Sequence, residues 1–217
     1  MKIKTSSMTL SIITLASVAT IASADIWPNS EGDMKHMLIS LDQTTINVEM
    51  MGDPLERVSL IRYPGESYTH PADVLNDRYY TDRYGWVANG FIDLPAGAAI
   101  FIQTLDTDPG LDVYEGGMRS MKPMHTYDPI LGTDGSSDTW QWGGTMMHNW
   151  YAADALGQYQ VTYSIFVGDQ ATGTPLPGYS SDNVTLYFNA VPAPSALALL
   201  GGSCGFLSTR RRRRVNA

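Results

Sequence analysis

The chain has 217 residues, with 22 Asp and Glu against 14 Lys and Arg and a formal net charge of −8. All of the acidic residues but only 7 of the basic ones lie in residues 25–190, so this body of the chain carries a formal charge of −15. Such an acidic surface repels phosphate backbones, which excludes nucleic acid as a partner. The single cysteine, Cys204, lies outside the body, which therefore depends on core packing rather than on disulfides.

The N-terminus has the pattern of a secretory signal peptide over residues 1–24. Lys2 and Lys4 form a short basic region, and a mainly apolar segment follows over residues 8–21. Ala22 and Ala24 then supply a small-residue cleavage site before Asp25. This order predicts export and processing by signal peptidase, with residues 25–190 left as one domain.

Short two-residue periodicity runs through the body and predicts strands rather than long helices. Turn residues separate the strands, and a two-residue link joins the first two as a hairpin. Only residues 71–80 fit a short helix, and most of residues 106–144 is predicted to form long loops. We predict an all-β fold, an antiparallel β-sandwich of jelly-roll type. The predicted strands are residues 36–41, 44–50, 57–62, 84–88, 98–103, 139–142, 159–167 and 183–188.

Three acids in one turn-rich stretch form a candidate Ca²⁺ site. Asp106, Asp108 and Asp112 stand at positions 1, 3 and 7 of the stretch, and oxygen ligands at alternating loop positions suit this ion. Pro109 and the lack of a glutamate at position 12 exclude an EF-hand. The alternative is ordinary turn chemistry, in which Asp accepts hydrogen bonds from its own backbone. Ca²⁺ is the only cofactor that the sequence suggests for the leading interpretation.

Methionine and histidine recur together and form a candidate copper site. Thioether sulfur and imidazole suit Cu(I), and the Met-x-x-Met-x-x-Met spacing lets one loop surround a metal. The alternative is that these methionines fill gaps in the core. The candidate ligands are Met118, Met121, Met124, His125 and His148.

Aromatic pairs at two-residue spacing point to one side of a strand, which makes Trp86 and Trp142 candidates for stacking on sugar rings of an extracellular polysaccharide. The alternative is that both are core residues. No nucleophile elbow, His-Glu-x-x-His or phosphate-binding loop is present, so we predict a protein that is not an enzyme, with no catalytic residues.

The C-terminal tail, residues 191–217, combines a proline-rich turn, an apolar run over residues 196–207 and a cluster of arginines. The apolar run is predicted to be helical, and the arginines to stay on the cytoplasmic side of a membrane. The tail resembles the PEP-CTERM sorting signal, although Ala193 stands where that family usually has Glu. The matching residues outside the apolar run are Val191, Pro192, Pro194, Ser195, Arg210, Arg211, Arg212, Arg213 and Arg214.

The resemblance implies processing by an exosortase. The chain would be anchored transiently in the inner membrane and then released to the cell envelope or extracellular matrix. Within the body, residues 128–135, 148–151, 157–159 and 168–169 resemble, in that order, the exported choice-of-anchor M domains. This second resemblance implies fold and location only, because those domains have no established activity.

The sequence therefore favours an exported, non-enzymatic β-sandwich that binds Ca²⁺ or polysaccharide. Two alternatives stay open, a copper-handling protein that uses the Met and His residues and a secreted carbohydrate-active enzyme.

Overall fold

The computed structural model describes residues 26–193. The predicted signal peptide and the tail from Pro194 onward lie outside the described residues. Within residues 26–193 the fold has twelve strands, together with short 3-10 helices at Ala72–Leu75, Arg119–Met124 and Thr133–Gly135. The strands are β1 Lys35–Asp42, β2 Thr45–Met50, β3 Val58–Ile61, β4 Tyr79–Thr81, β5 Tyr84–Ala88, β6 Ala98–Thr107, β7 Leu111–Gly117, β8 Pro129–Ile130, β9 Thr139–Trp142, β10 Met147–Ala153, β11 Gly157–Asp169 and β12 Asp182–Val191.

The prediction of an all-β fold is confirmed, and each of the eight predicted strands is present. In β1, buried and less buried residues alternate, as expected for a strand with one face on the core. The predicted hairpin joins β1 to β2 with Asp42 opposite Thr45, and Gln43 takes the left-handed backbone conformation (φ 55°) that so tight a turn needs.

The sheet is mixed, which corrects the prediction of a purely antiparallel arrangement. Its strand order is β2-β1-β5-β10-β4-β3-β12-β11-β6-β9, and β7 pairs with β10 and β8. Two of the pairings, β1 with β5 and β12 with β3, are parallel. Parallel pairs join strands distant in sequence, so periodicity within a strand cannot reveal them.

Strands far apart in the strand order contribute to one core. Trp86 of β5 meets Tyr163 of β11 edge-to-face, with 5.7 Å between ring centroids. The ring centroids of Phe188 in β12 and Tyr151 in β10 are 4.8 Å apart. Trp86, Tyr151, Tyr163 and Phe188 belong to one core cluster, whereas Tyr80, Tyr127 and Trp150 belong to a second one.

Residues 106–144 contain more regular structure than the predicted loops, because β7, β8 and two 3-10 helices lie there besides β9. Strand β7 carries Asp112 and Glu115 and ends in two glycines, so its sequence does not predict a strand. The predicted helix at 71–80 contains a single 3-10 turn, Ala72–Leu75, and β4 begins at Tyr79. Within residues 26–193, no helix has both the length and the apolar character of a membrane span.

Candidate functional site

Strand β10 lies in a part of the sheet where the strand pairing is irregular. It is nearly all buried and pairs with β4 and β5 along one edge and with β7 along the other. Asp82 and Arg83 interrupt the first edge, between β4 and β5. On the other edge of β10, the register with β7 shifts between His148 and Trp150. At this shift, the side-chain oxygen of Asn149 accepts a hydrogen bond from the Gly116 N–H (3.2 Å). Such bulges re-aim side chains. A polar cluster lies at the interruption between β4 and β5.

Asp82 is the centre of that cluster and is fully buried (0% exposed). The Ser30 hydroxyl donates to Asp82 Oδ1. On the other oxygen, Lys122 Nζ lies 3.3 Å away and Arg119 Nε 3.8 Å away. We call Ser30, Asp82, Arg119 and Lys122 the Asp82 cluster. A carboxylate at this depth needs such charged partners, because desolvation alone would make its ionised form very costly.

Lys122 connects the cluster to the N-terminal segment and to the aromatic core. Its ammonium group donates to the Pro28 carbonyl (2.6 Å) and to Asn29 Oδ1 (3.2 Å). The same nitrogen lies 4.7 Å from the centroid of the buried Trp150 ring, a cation–π contact. Burial lowers the pKa of Lys122, and the charge of Asp82 opposes that shift. The cluster thus fastens the N-terminal segment and the 3-10 helix Arg119–Met124 onto the sheet.

His125 is buried beside this cluster, with both ring nitrogens in hydrogen bonds. Its Nδ1 accepts the Trp150 indole N–H (3.0 Å), so Nε2 carries the proton and donates to the Met118 carbonyl (3.0 Å). Gly117 lets the ring lie close to β7, since a β-carbon there would come within 2.9 Å of it. Burial lowers the pKa of His125, which favours the neutral form.

His148 is also buried, and its Nδ1 donates to the Asp82 carbonyl (2.9 Å). Its ring meets the His36 ring edge-on, with centroids 5.5 Å apart, over the backbone of Gly85. His36 Nε2 is buried and has no hydrogen-bond partner among the described residues. Burial is the main cause of the lowered pKa of His148, so this histidine is neutral near pH 7.

The candidate copper ligands fall into two groups. Met118, Met121 and Met124 are exposed on the surface, whereas His125 and His148 are buried. The hydrogen bonds of His125 occupy both of its ring nitrogens, so this histidine has no lone pair to offer a metal. A packing role for the three methionines does not fit their exposure.

Two of the three candidate Ca²⁺ ligands already have protein partners. Asp108 Oδ2 accepts the Gln160 N–H (2.9 Å), and Asp112 Oδ2 pairs with the Arg78 guanidinium at 2.6 Å. Asp106 lies near the exposed end of β6. In the described part of the chain, no group of three or more His, Cys, Asp or Glu side chains is placed to hold a metal ion.

Trp86 and Trp142, the candidate sugar platforms, are 0% and 2% exposed. Trp86 packs on Tyr163 in the core, and the Trp142 indole donates to the Thr145 carbonyl (2.9 Å). A ring with no exposed face cannot stack on a sugar, so the role assigned to these two residues is wrong in this structure. Each tryptophan lies on the core side of its strand, as expected for the alternative that both are core residues.

An exposed aromatic ring lies nearby instead. Phe91, in the connection from β5 to β6, is 88% exposed. It borders a groove of about 420 Å³ whose other lining residues include Ile92, Leu94, Gln141, Trp142 and Gln170. We call this the Phe91 groove. Gln141 and Gln170 are exposed at its rim, and the backbone N–H of Gln170 is anchored on the Gly97 carbonyl (2.8 Å).

Sequence reasoning missed both Asp82 and Phe91. A signal for Asp82 was available, because Asp82 and Arg83 form a charged pair inside an otherwise aromatic stretch, residues 79–86. Phe91 gave no comparable signal, since phenylalanine is among the residues that are most often buried.

Comparison with known proteins gives no relative from which to assign this site. No family model matches the chain, and no curated protein and no solved structure does so either.

Proposed function

We propose that the chain is an exported, non-catalytic β-sandwich protein, sorted to the cell envelope or extracellular matrix, that binds extracellular polysaccharide in the Phe91 groove. The observation that carries the binding proposal is the Phe91 ring, exposed at the edge of a groove with amide side chains at its rim. The contacts of β5 and β10 with β11 and β12 support the two-layered sandwich.

The chemistry of the groove fits a neutral sugar. An aromatic face stacks on the C–H face of a sugar ring, and the amides of Gln141 and Gln170 can donate to and accept from hydroxyls. The described residues that line the groove include no charged side chain, although the body carries −15. The volume of about 420 Å³ lies within the usual range for small-ligand sites.

The non-catalytic part of the proposal is supported by what the buried polar groups do. Asp82 is held by Ser30 and two cations, and His125 uses both ring nitrogens to hold the 3-10 helix Arg119–Met124 against Trp150. These groups stabilise the fold rather than face a substrate.

Phe91→Ala is expected to weaken polysaccharide binding by on the order of tenfold, because the stacking surface is lost. An array of neutral and acidic oligosaccharides, probed with the purified chain, measures the effect. Leu55→Ala is the matched control, since Leu55 is also exposed (72%) but borders a different groove. Binding that survives Phe91→Ala, or no binding to any neutral glycan, would contradict the proposal.

Sorting predicts two cleavages in the native host. Mass spectrometry of cell fractions is expected to find a mature form that begins near Asp25 and lacks Arg210 to Arg214. Changing Pro192 and Pro194 to alanine alters the turn but not the apolar run, and should leave the tail uncleaved. If the intact C-terminus persists in membranes in the unaltered protein, the tail is a permanent anchor instead.

A further inference from the structure

We propose that Met118, Met121 and Met124 form a Cu(I) site made of thioether ligands alone, independent of the Phe91 groove. The side chains are 52%, 41% and 72% exposed, which places all three on the outer surface of one short segment. We call residues 118–124 the methionine segment. Soft thioether sulfur favours Cu(I) over harder ions.

The local geometry holds the three methionines close together along the chain. The segment forms two successive 3-10 turns, closed by hydrogen bonds from Met121 N to the Met118 carbonyl (2.8 Å) and from His125 N to the Lys122 carbonyl (3.1 Å). In a 3-10 helix, side chains three residues apart eclipse one another. The backbone leaves helical geometry at Met121, where the two turns join, so the eclipsing does not extend over the whole segment, but all three methionine side chains are exposed.

The two cations of the segment are less exposed than its methionines. Arg119 and Lys122, also three residues apart, reach inward to the buried Asp82 carboxylate. Their charges are thereby partly neutralised by the carboxylate. In the sequence, Arg119 and Lys122 lie between the proposed ligands of Cu(I), which is itself a cation. Their contacts with Asp82 reduce the repulsion that this order would otherwise cause.

The segment is also held in place before any metal binds. Lys122 fastens it to the N-terminal segment through the Pro28 carbonyl, and His125 fastens its end to Trp150. A ligand set on an anchored segment loses less conformational entropy on binding. A docking patch for an apolar protein is less consistent with this segment, because the exposed, polar Ser120 lies between Met118 and Met121.

The test is an anaerobic Cu(I) titration of the purified chain against a chromogenic Cu(I) chelator. We expect one Cu(I) per chain, with a binding constant at least about tenfold weaker in Met121→Leu, since even changes next to a ligand cost about 10–100-fold. Leucine keeps the size of the side chain, so folding is preserved and is checked by circular dichroism.

Met51→Leu is the matched control, because Met51 is equally exposed (51%) but lies outside the segment. X-ray absorption of the copper-loaded protein should show sulfur ligands only. The proposal is overturned if Met121→Leu binds as tightly as the parent chain, if Met51→Leu loses as much affinity, or if nitrogen ligands are found. A failure here would leave the glycan results unchanged, because the two sites share no residue.

Discussion

Asp82→Asn is expected to lower the free energy of unfolding by about 3 kcal/mol, at the lower end of the usual cost of breaking a buried ion pair. Asparagine keeps the shape of the side chain and can still accept from Ser30. It removes the negative charge that offsets Lys122 and Arg119, and Lys122 is itself largely buried. Urea denaturation of the purified protein measures the change.

Two further variants separate the charge effect from general damage. Asp77→Asn breaks the exposed pair with Arg62 and should cost less than about 1 kcal/mol. Adding Lys122→Met to Asp82→Asn removes the stranded cation, so the double variant should lose less than the sum of the single losses. A loss below about 1 kcal/mol for Asp82→Asn itself would show that the cluster does not depend on this charge.

Gly116→Ala is expected to destabilise the fold by about 3 kcal/mol or more, beyond the usual cost of overpacking. A β-carbon at this position would lie 1.7 Å from the His148 carbonyl oxygen and 2.7 Å from its carbon. These are backbone atoms of the neighbouring strand, so no side-chain rotation relieves the clash. The register shift between β7 and β10 would have to change, and the Asn149 hydrogen bond to Gly116 with it.

Gly143→Ala is the control for this variant, because a β-carbon at Gly143 meets no atom within 4 Å. We expect its midpoint of thermal unfolding to stay within a few degrees of that of the parent protein, and that of Gly116→Ala to fall well below both. Equal midpoints for the two variants would mean that the close approach of β7 and β10 is not required.

The strands that sequence reasoning found and missed differ in their environment. Strands β1 and β12 have one face on the core, so burial alternates along them and the sequence shows that period. Strand β10 is buried on both faces and pairs along both edges, so its sequence, Met-His-Asn-Trp-Tyr-Ala-Ala, carries no alternation. Its position in the sheet, rather than its residues, makes it a strand.

The candidate sites were likewise only partly predictable from the sequence. The spacing of Met118, Met121 and Met124 was visible in the sequence, but only the fold places them outward and Arg119 and Lys122 inward. His125 was a reasonable ligand by residue type. The tertiary structure assigns both of its nitrogens to Trp150 and Met118, which no local pattern encodes.

The sequence by itself determined the all-β class, the positions of eight strands and the acidic character of the body, because these depend on local sequence pattern and composition. The tertiary structure alone decided the mixed pairing, the burial of Trp86 and Trp142, the exposure of Phe91 and the partners of Asp82. Ser30, Asp82 and Lys122 are distant in sequence and meet only because the N-terminal segment and the methionine segment cover the same interruption in the sheet. Such contacts depend on which elements become neighbours, and that is set by packing over the whole core.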